Sequence, residues 1–252
     1  MATNIVREHP QTTHTTCDLH PSLTLPLSFS TKELNKISPS LQMHPLLHKN
    51  DYLYHANTEF SCIYTVRSGC IKTVTTDTDG NEQIAGFFLP GELVGSNNFG
   101  QDHYTNSAIA VDTSSVCKIP LSQLDNIGVQ MPSLQKQILR IISTETTVDP
   151  QLISILSKNK AEAKIATFLL SLSSRYRRLN LSATNLILPM SRSDIGNYLG
   201  LTIETVSRII AKLRKKEIIE ASGREILIHD LHQLQVLAGI ASKPRVAQEL
   251  SV

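Results

Sequence analysis

Between residues 189 and 216 apolar positions recur with the period of an amphipathic helix, stop, and begin again. Ile195, Tyr198 and Leu199 form one i, i+3, i+4 face, and Val206, Ile209, Ile210 and Leu213 form a second. Ser191, with Asp194 three positions on, predicts an N-cap for the first helix, and Thr202 predicts one for the second. Gly200 stands where the chain must reverse, a place that often requires positive φ. The outward face of the second helix carries Glu204, Ser207, Arg208, Lys212 and Lys215. Cap, turn and polar face agree on a helix-turn-helix whose second helix is built to enter a DNA major groove. Two ordinary amphipathic helices joined by a glycine would need no such agreement.

Upstream the period changes. Ile63–Val66, Ile71–Val74 and Ala108–Val111 are short strand-like runs, punctuated by Gly69, Asp79-Gly80-Asn81, Pro90-Gly91 and Gly95. Strands this short and this regularly spaced predict a small antiparallel roll over residues 29–130. Pro132 is tolerated at the start of a helix, and a long helix is expected over 131–157. It carries one apolar seam of Leu134, Ile138, Ile141, Val148, Leu152 and Ile155, and another of Leu139, Ile142, Ile153 and Leu156. Two seams predict that one side packs on the roll while the other meets a second copy in a parallel dimer. Thr146 and Asp149 belong to the same dimerisation face; burial within one subunit is the alternative. Pro150 predicts a kink near 147–150.

Helix resumes from about Ser157 to Arg178, and Glu225–Ile228 after Ser222-Gly223 reads as a strand of a wing. The expected organisation is a flexible segment over 1–28, the roll, the long helix, a winged helix-turn-helix over 158–239, and a tail over 240–252. The fold class is α+β.

Composition sharpens this division. The net charge of +2 conceals 14 Lys and Arg against 8 Asp and Glu from Lys160 onward, leaving 10 against 14 before it. A basic C-terminal part behind an acidic one suits a nucleic-acid module carried by a sensor module. No apolar run reaches the roughly 18 residues of a membrane span, and the first residues lack the apolar core of a secretory signal. Cys17, Cys62, Cys70 and Cys117 show neither a disulfide framework nor a CxxC spacing, so a cytoplasmic, reduced protein is expected. Cys62 and Cys70 fall on expected strands and read as small core residues. No nucleophile–base or paired-carboxylate arrangement falls on a catalytic scaffold, so no enzyme activity is expected.

Five segments carry a resemblance: Val66-Arg67-Ser68-Gly69, GNEQIAGFFLPGELVG (80–95), SSVCKIP (114–120), LSKNKAE (156–162) and SDIGNYLGLTIETVSR (193–208). From about Leu25 to Gly239 the chain resembles the FNR/CRP family of bacterial transcription regulators, most closely its fumarate-and-nitrate-reduction branch. The resemblance implies an N-terminal β-roll, a long dimerisation helix and a C-terminal winged helix-turn-helix. An E-x-x-S-R signature falls on Glu204, Ser207 and Arg208, which the resemblance makes the base readers of TTGAT-type half-sites in an inverted repeat. Arginine can bond guanine O6 and N7 together, glutamate can accept from cytosine N4, and a short serine can approach thymine. Arg192, Thr205, Lys212 and Lys215 are the expected backbone contacts. The implied partners are double-stranded DNA, a second copy of the chain and RNA polymerase, the last through a surface that the Gly80-Asn81 turn resembles.

The sensing half departs from the pattern. The branch holds a [4Fe–4S] cluster on three closely spaced N-terminal cysteines and one later cysteine. Cys117 falls on the later position, but only Cys17 stands in the N-terminal region, and Thr24 occupies an expected ligand place. Two cysteines do not make a Cys₄ set, so no resident cofactor is expected. The alternative is that His14, Cys17 and His20, spaced H-x₂-C-x₂-H, join Cys117 to hold zinc or an unusual iron–sulfur centre. Cyclic-AMP receptors of the family use an acidic residue and an Arg-Ser pair. Gly91-Glu92 survives here, but Asn106 replaces the arginine and removes its charge-assisted bond to phosphate. A metal- or cluster-dependent redox sensor and a cyclic-nucleotide-responsive regulator are the alternatives, as is a sensor whose helix-turn-helix binds protein. Asp149 lies where the branch has an aspartate that discourages dimers, a carboxylate pair across a seam being unfavourable.

Overall fold

The structure is a computed structural model that describes residues 42–123 and 160–240. The long helix expected over 131–157 lies outside the described residues, and with it Leu139, Ile142, Thr146, Asp149, Ile153 and Leu156. The same holds for His14, Cys17 and His20.

The first part is an antiparallel roll built from β1 (Gln42–Met43), β2 (Tyr52–Tyr54), β3 (Cys62–Ser68), β4 (Ile71–Thr76), β5 (Glu82–Phe88), β6 (Leu93–Val94), β7 (Ser107–Ala110) and β8 (Ser115–Pro120). These make two four-stranded sheets, ordered β1-β8-β3-β6 and β2-β7-β4-β5. Leu53, Cys62, Ile71, Leu93, Ala108, Ala110, Val116 and Cys117 are among the residues of the core within the roll. The β4–β5 hairpin closes at Asp77, whose carboxylate accepts from the backbone amides of Asp79 and Asn81 and from the Asn81 side chain at 2.8–3.0 Å.

The second part contains α1 (Ala161–Arg178), β9 (Asn185–Ile187), α2 (Arg192–Leu199), α3 (Ile203–Lys215), β10 (Ile219–Ser222), β11 (Glu225–Ile228) and α4 (Leu231–Ala238). The strands form an antiparallel sheet ordered β10-β11-β9. With α2 and α3 this is a winged helix-turn-helix, as the alternation in Glu225–Ile228 predicts: Ile226 and Ile228 are buried, Glu225 and Leu227 exposed.

The two parts share a core. Cys70, Val74, Ile84, Phe87, Leu89, Ile109 and Val111 of the roll cluster with Ile165, Phe168, Leu169, Leu172, Leu186, Ile195, Leu199, Val206 and Leu213. Strand β7 and the residue after it show why. Ala108 and Ala110 belong to the roll interior, whereas Ile109 and Val111 belong to the shared core. An apolar run without polar alternation is what a strand covered on both faces requires. Each large side chain buried here stabilises the assembly by roughly 1.5–3 kcal/mol. Among the described residues no helix is long and apolar enough to cross a membrane.

Candidate nucleic-acid interface

The reading helix is positioned by local chemistry that the sequence makes legible. At the start of α2 the Ser191 Oγ accepts from the Asp194 amide at 3.1 Å, and the Asp194 carboxylate accepts from the Ser191 amide at 3.0 Å. This reciprocal box satisfies backbone donors that the first helical turn leaves free. Gly200 ends α2 at φ +63°, in the left-handed region that disfavours a side chain. Gly196 lets the turn close: a Cβ there would lie 2.6 Å from the Leu201 carbonyl oxygen. Thr202 then caps α3, its Oγ1 accepting from the Thr205 amide at 3.2 Å.

Val206, Ile209, Ile210 and Leu213 bury one side of α3, and Glu204, Ser207 and Arg208 are exposed on the other. All three expected base readers therefore share one solvent-facing surface. The Glu204 carboxyl is held below the usual carboxylate range by its own backbone amide and by the Thr202 hydroxyl, so it is an anionic acceptor. Arg208 forms no ion pair among the described residues.

The expected backbone contacts fare differently. Arg192 begins α2; its Nη1 is buried without a hydrogen-bond partner, and burial lowers its pKa. Thr205 is half-buried, with its Oγ1 3.1 Å from the capping Thr202 hydroxyl. Lys215 is exposed. Lys212 was expected to be free for phosphate, but its Nζ lies 2.7 Å from Glu162 Oε2, and Lys216 approaches the same carboxylate at 3.4 Å. Glu162 lies 50 residues away on α1, so no helical period foretells the pair.

The effector positions also resolve. Asn106 is buried and accepts a hydrogen bond from the Tyr54 hydroxyl at 3.2 Å. Tyr54 stacks on Tyr104 at 3.8 Å between centroids, and Tyr104 donates to the Cys62 carbonyl at 2.6 Å. The Glu92 carboxylate is taken by Arg175 of α1 and by the Leu89 amide. With a neutral amide at 106 and a spoken-for carboxylate at 92, these residues do not fit a cyclic nucleotide. Cys62 and Cys70 are buried, as expected, and burial pushes the Cys70 thiol up. Cys117 is wholly buried, with its Sγ 3.8 Å from Met43 Sδ, and it is disulfide-bonded, which corrects the expectation of a fully reduced chain: a sulfur held in a disulfide has no thiolate to offer a metal or cluster. Among the described residues no group of three or more His, Cys, Asp or Glu could hold a metal ion.

The contacts that join the reader to the roll leave no local signal in the sequence. Lys72 Nζ lies 2.7 Å from Asp194 Oδ1, and Arg175 binds Glu92 with both its Nε and Nη2. Burial alone would lower the Arg175 pKa, but Glu92 beside it carries it upward. The Asn197 side chain bonds the backbone at Glu82 and Ile84, and Phe87, Phe168 and Tyr198 pack edge to face.

Comparison with known proteins agrees with this architecture. Residues 163–237 match the Crp-like helix-turn-helix domain, and residues 46–130 match the cyclic nucleotide-binding domain. The chain is 42% identical over 234 residues to the transcriptional activator protein Anr of Pseudomonas protegens, covering 93% of this chain and 96% of that one. It is 38% identical over 223 residues to the fumarate and nitrate reduction regulatory protein of Vibrio cholerae, covering 88% and 89%. The solved structure of FixK2 from Bradyrhizobium japonicum superposes with a TM-score of 0.71 at 28% identity, covering 80% of this chain and 99% of that one. A β-roll joined to a winged helix-turn-helix, with relatives of this identity along nearly the whole chain, makes the protein a DNA-binding transcription regulator of the FNR/CRP family.

Proposed function

We propose that the protein works as a homodimer that reads an inverted repeat of TTGAT-type half-sites, one α3 per half-site. The observation that carries this is the common exposure of Glu204, Ser207 and Arg208 opposite a fully buried apolar stripe. Arg208 supplies a two-pronged donor for guanine, Glu204 an ionised acceptor for cytosine N4, and Ser207 a small surface for thymine. Arg192, half-buried in the first turn of α2, supports a phosphate contact there through its cationic guanidinium. Thr205 and Lys215 lie on α3 itself. Lys212 joins them by exchanging its half-exposed pair with Glu162, since exposed pairs contribute little. Two such readers match half-sites about one helical turn apart, and the Gly80-Asn81 tip is the surface offered to RNA polymerase.

Fluorescence anisotropy with three labelled duplexes tests the reading: an inverted repeat, a single half-site, and a scrambled sequence of equal composition. The repeat is expected to bind about 10³-fold or more tighter than the scramble. Equal affinities for the repeat and the scramble would refute it. The roll answers to a signal other than a cyclic nucleotide, as the Tyr54–Asn106 bond and the Arg175–Glu92 pair support. Saturating cyclic AMP should accordingly leave the affinity for the repeat unchanged.

A further inference from the structure

The polar contacts along the seam between the roll and the winged helix converge on the helices that set the position of α3. At one end, Arg175 in the last turn of α1 donates from Nε to Glu92 Oε1 at 2.7 Å and from Nη2 to the Phe87 carbonyl at 2.6 Å. Its Nη2 also bonds the second Glu92 oxygen, which the Leu89 amide fixes in turn at 2.8 Å. These side chains are only 16% and 19% exposed, so the pair is sheltered from water and geometrically tight.

At the other end, α2 docks on the free edge of a sheet. Among the described residues β5 is the outermost strand of β2-β7-β4-β5, with no strand paired to its far side. Asn197 supplies the missing partner: its Oδ1 accepts from the Ile84 amide at 2.6 Å, and its Nδ2 donates to the Glu82 carbonyl at 2.8 Å. One side chain thereby serves two backbone groups that an adjoining strand would otherwise serve. Gln83 Nε2 donates back to the Asn197 carbonyl at 2.6 Å. Lys72 reaches Asp194, the residue that also caps α2, at 2.7 Å.

Contacts at both ends of α2, with an aromatic cluster and an ion pair beyond them, fix this helix in position and rotation. α3 follows through the Gly200 turn. The docked arrangement leaves Glu204, Ser207 and Arg208 exposed, so the seam presents the reading face and does not cover it. We propose that Lys72, Asn197 and Arg175 are positioning residues for DNA reading, setting the angle and spacing at which each α3 meets its half-site. This rests on the dimeric reading above. Once one half-site is bound, the second is met intramolecularly, at an effective concentration set by how narrowly the other reader is oriented. A reader free to swing keeps its contacts to one half-site and loses the advantage of two.

The test uses the full-length chain and compares the inverted-repeat duplex with the single half-site duplex by anisotropy. Asn197→Ala and Lys72→Ala should each weaken binding to the repeat by roughly tenfold while leaving half-site affinity unchanged. Lys72→Arg, which keeps the cation, should retain wild-type preference. Asn197 is exposed, so its replacement leaves the core intact and the test independent of folding losses. Arg175→Gln should show the same selective loss. It leaves Glu92 without its counterion, so circular dichroism is used to establish that it is folded. A preference for the repeat that survives in both Asn197→Ala and Lys72→Ala overturns the proposal, as does tighter binding to the repeat in either variant. A wild-type protein that binds both duplexes equally overturns the dimeric reading, and this inference falls with it.

Discussion

Replacing Arg208 with alanine separates recognition from everything else the helix does. Arg208 is exposed on α3 and pairs with no acidic group among the described residues, so the fold loses nothing it depends on. Exposed substitutions of this kind move stability within about 0.5 kcal/mol, and alanine is the better helix former by a few tenths. Binding behaves differently. A bidentate guanine contact is worth about 1–3 kcal/mol of discrimination, and a dimer makes it twice, for about 2–6 kcal/mol. At about 1.4 kcal/mol per tenfold, that is a loss of roughly 30-fold to more than 10⁴-fold on the inverted repeat. On scrambled DNA the variant loses only one positive charge per reader, while Arg192 and Lys215 remain to meet phosphate. Anisotropy titrations at several salt concentrations read both quantities: the repeat-to-scramble ratio should collapse, and the salt dependence on scrambled DNA should persist. An Arg208→Ala protein with full site preference would refute the assignment of α3 as the reading helix through this face.

Three further outcomes follow from the packing and the caps. Leu213 is wholly buried beneath α3, so Leu213→Ala should cost about 2–5 kcal/mol in urea unfolding; a change within about 0.5 kcal/mol would contradict the shared core. Ser191→Ala removes one half of the α2 box and should cost about 0.5–2 kcal/mol, with Ser191→Thr retaining most of it. Burial alone would raise the Asp194 pKa, but hydrogen bonds from Lys72 and Ser191 carry it below the usual carboxylate range. A folded pKa below the unfolded value of about 3.9 means that its stabilisation is present above that pH and is lost as pH falls through the folded value. The urea midpoint should therefore drop on acidification below about pH 4, and drop less in Lys72→Ala; identical acid profiles would show that the pair contributes nothing.

The part of the protein governed by neighbours three or four residues apart is written in the order of its residues. Ser191 and Asp194, Gly200, Thr202 and the stripe of Val206, Ile209, Ile210 and Leu213 all act within a turn or two of helix. Caps, left-handed turns and a 3.6-residue period leave their mark in the order of residues. The same rules placed Glu204, Ser207 and Arg208 on the opposite face, where the structure has them. The unbroken apolar run Ala108–Val111 signals a strand covered on both sides, though not what covers it.

Tertiary structure alone decided the rest. Glu92 meets Arg175 across 83 positions, Ile84 meets Asn197 across 113, and Lys72 meets Asp194 across 122. No periodicity links residues so far apart, and Lys72, Arg175 and Asn197 each read alone as ordinary solvated residues. Lys212 shows the same effect in reverse, since its helical face points outward while α1 brings Glu162 to it. The identity of the DNA reader is a local property of the chain. How that reader is held against its sensor arises only when two separately patterned surfaces bury one another, because burial is what turns distant charges and amides into specific partners.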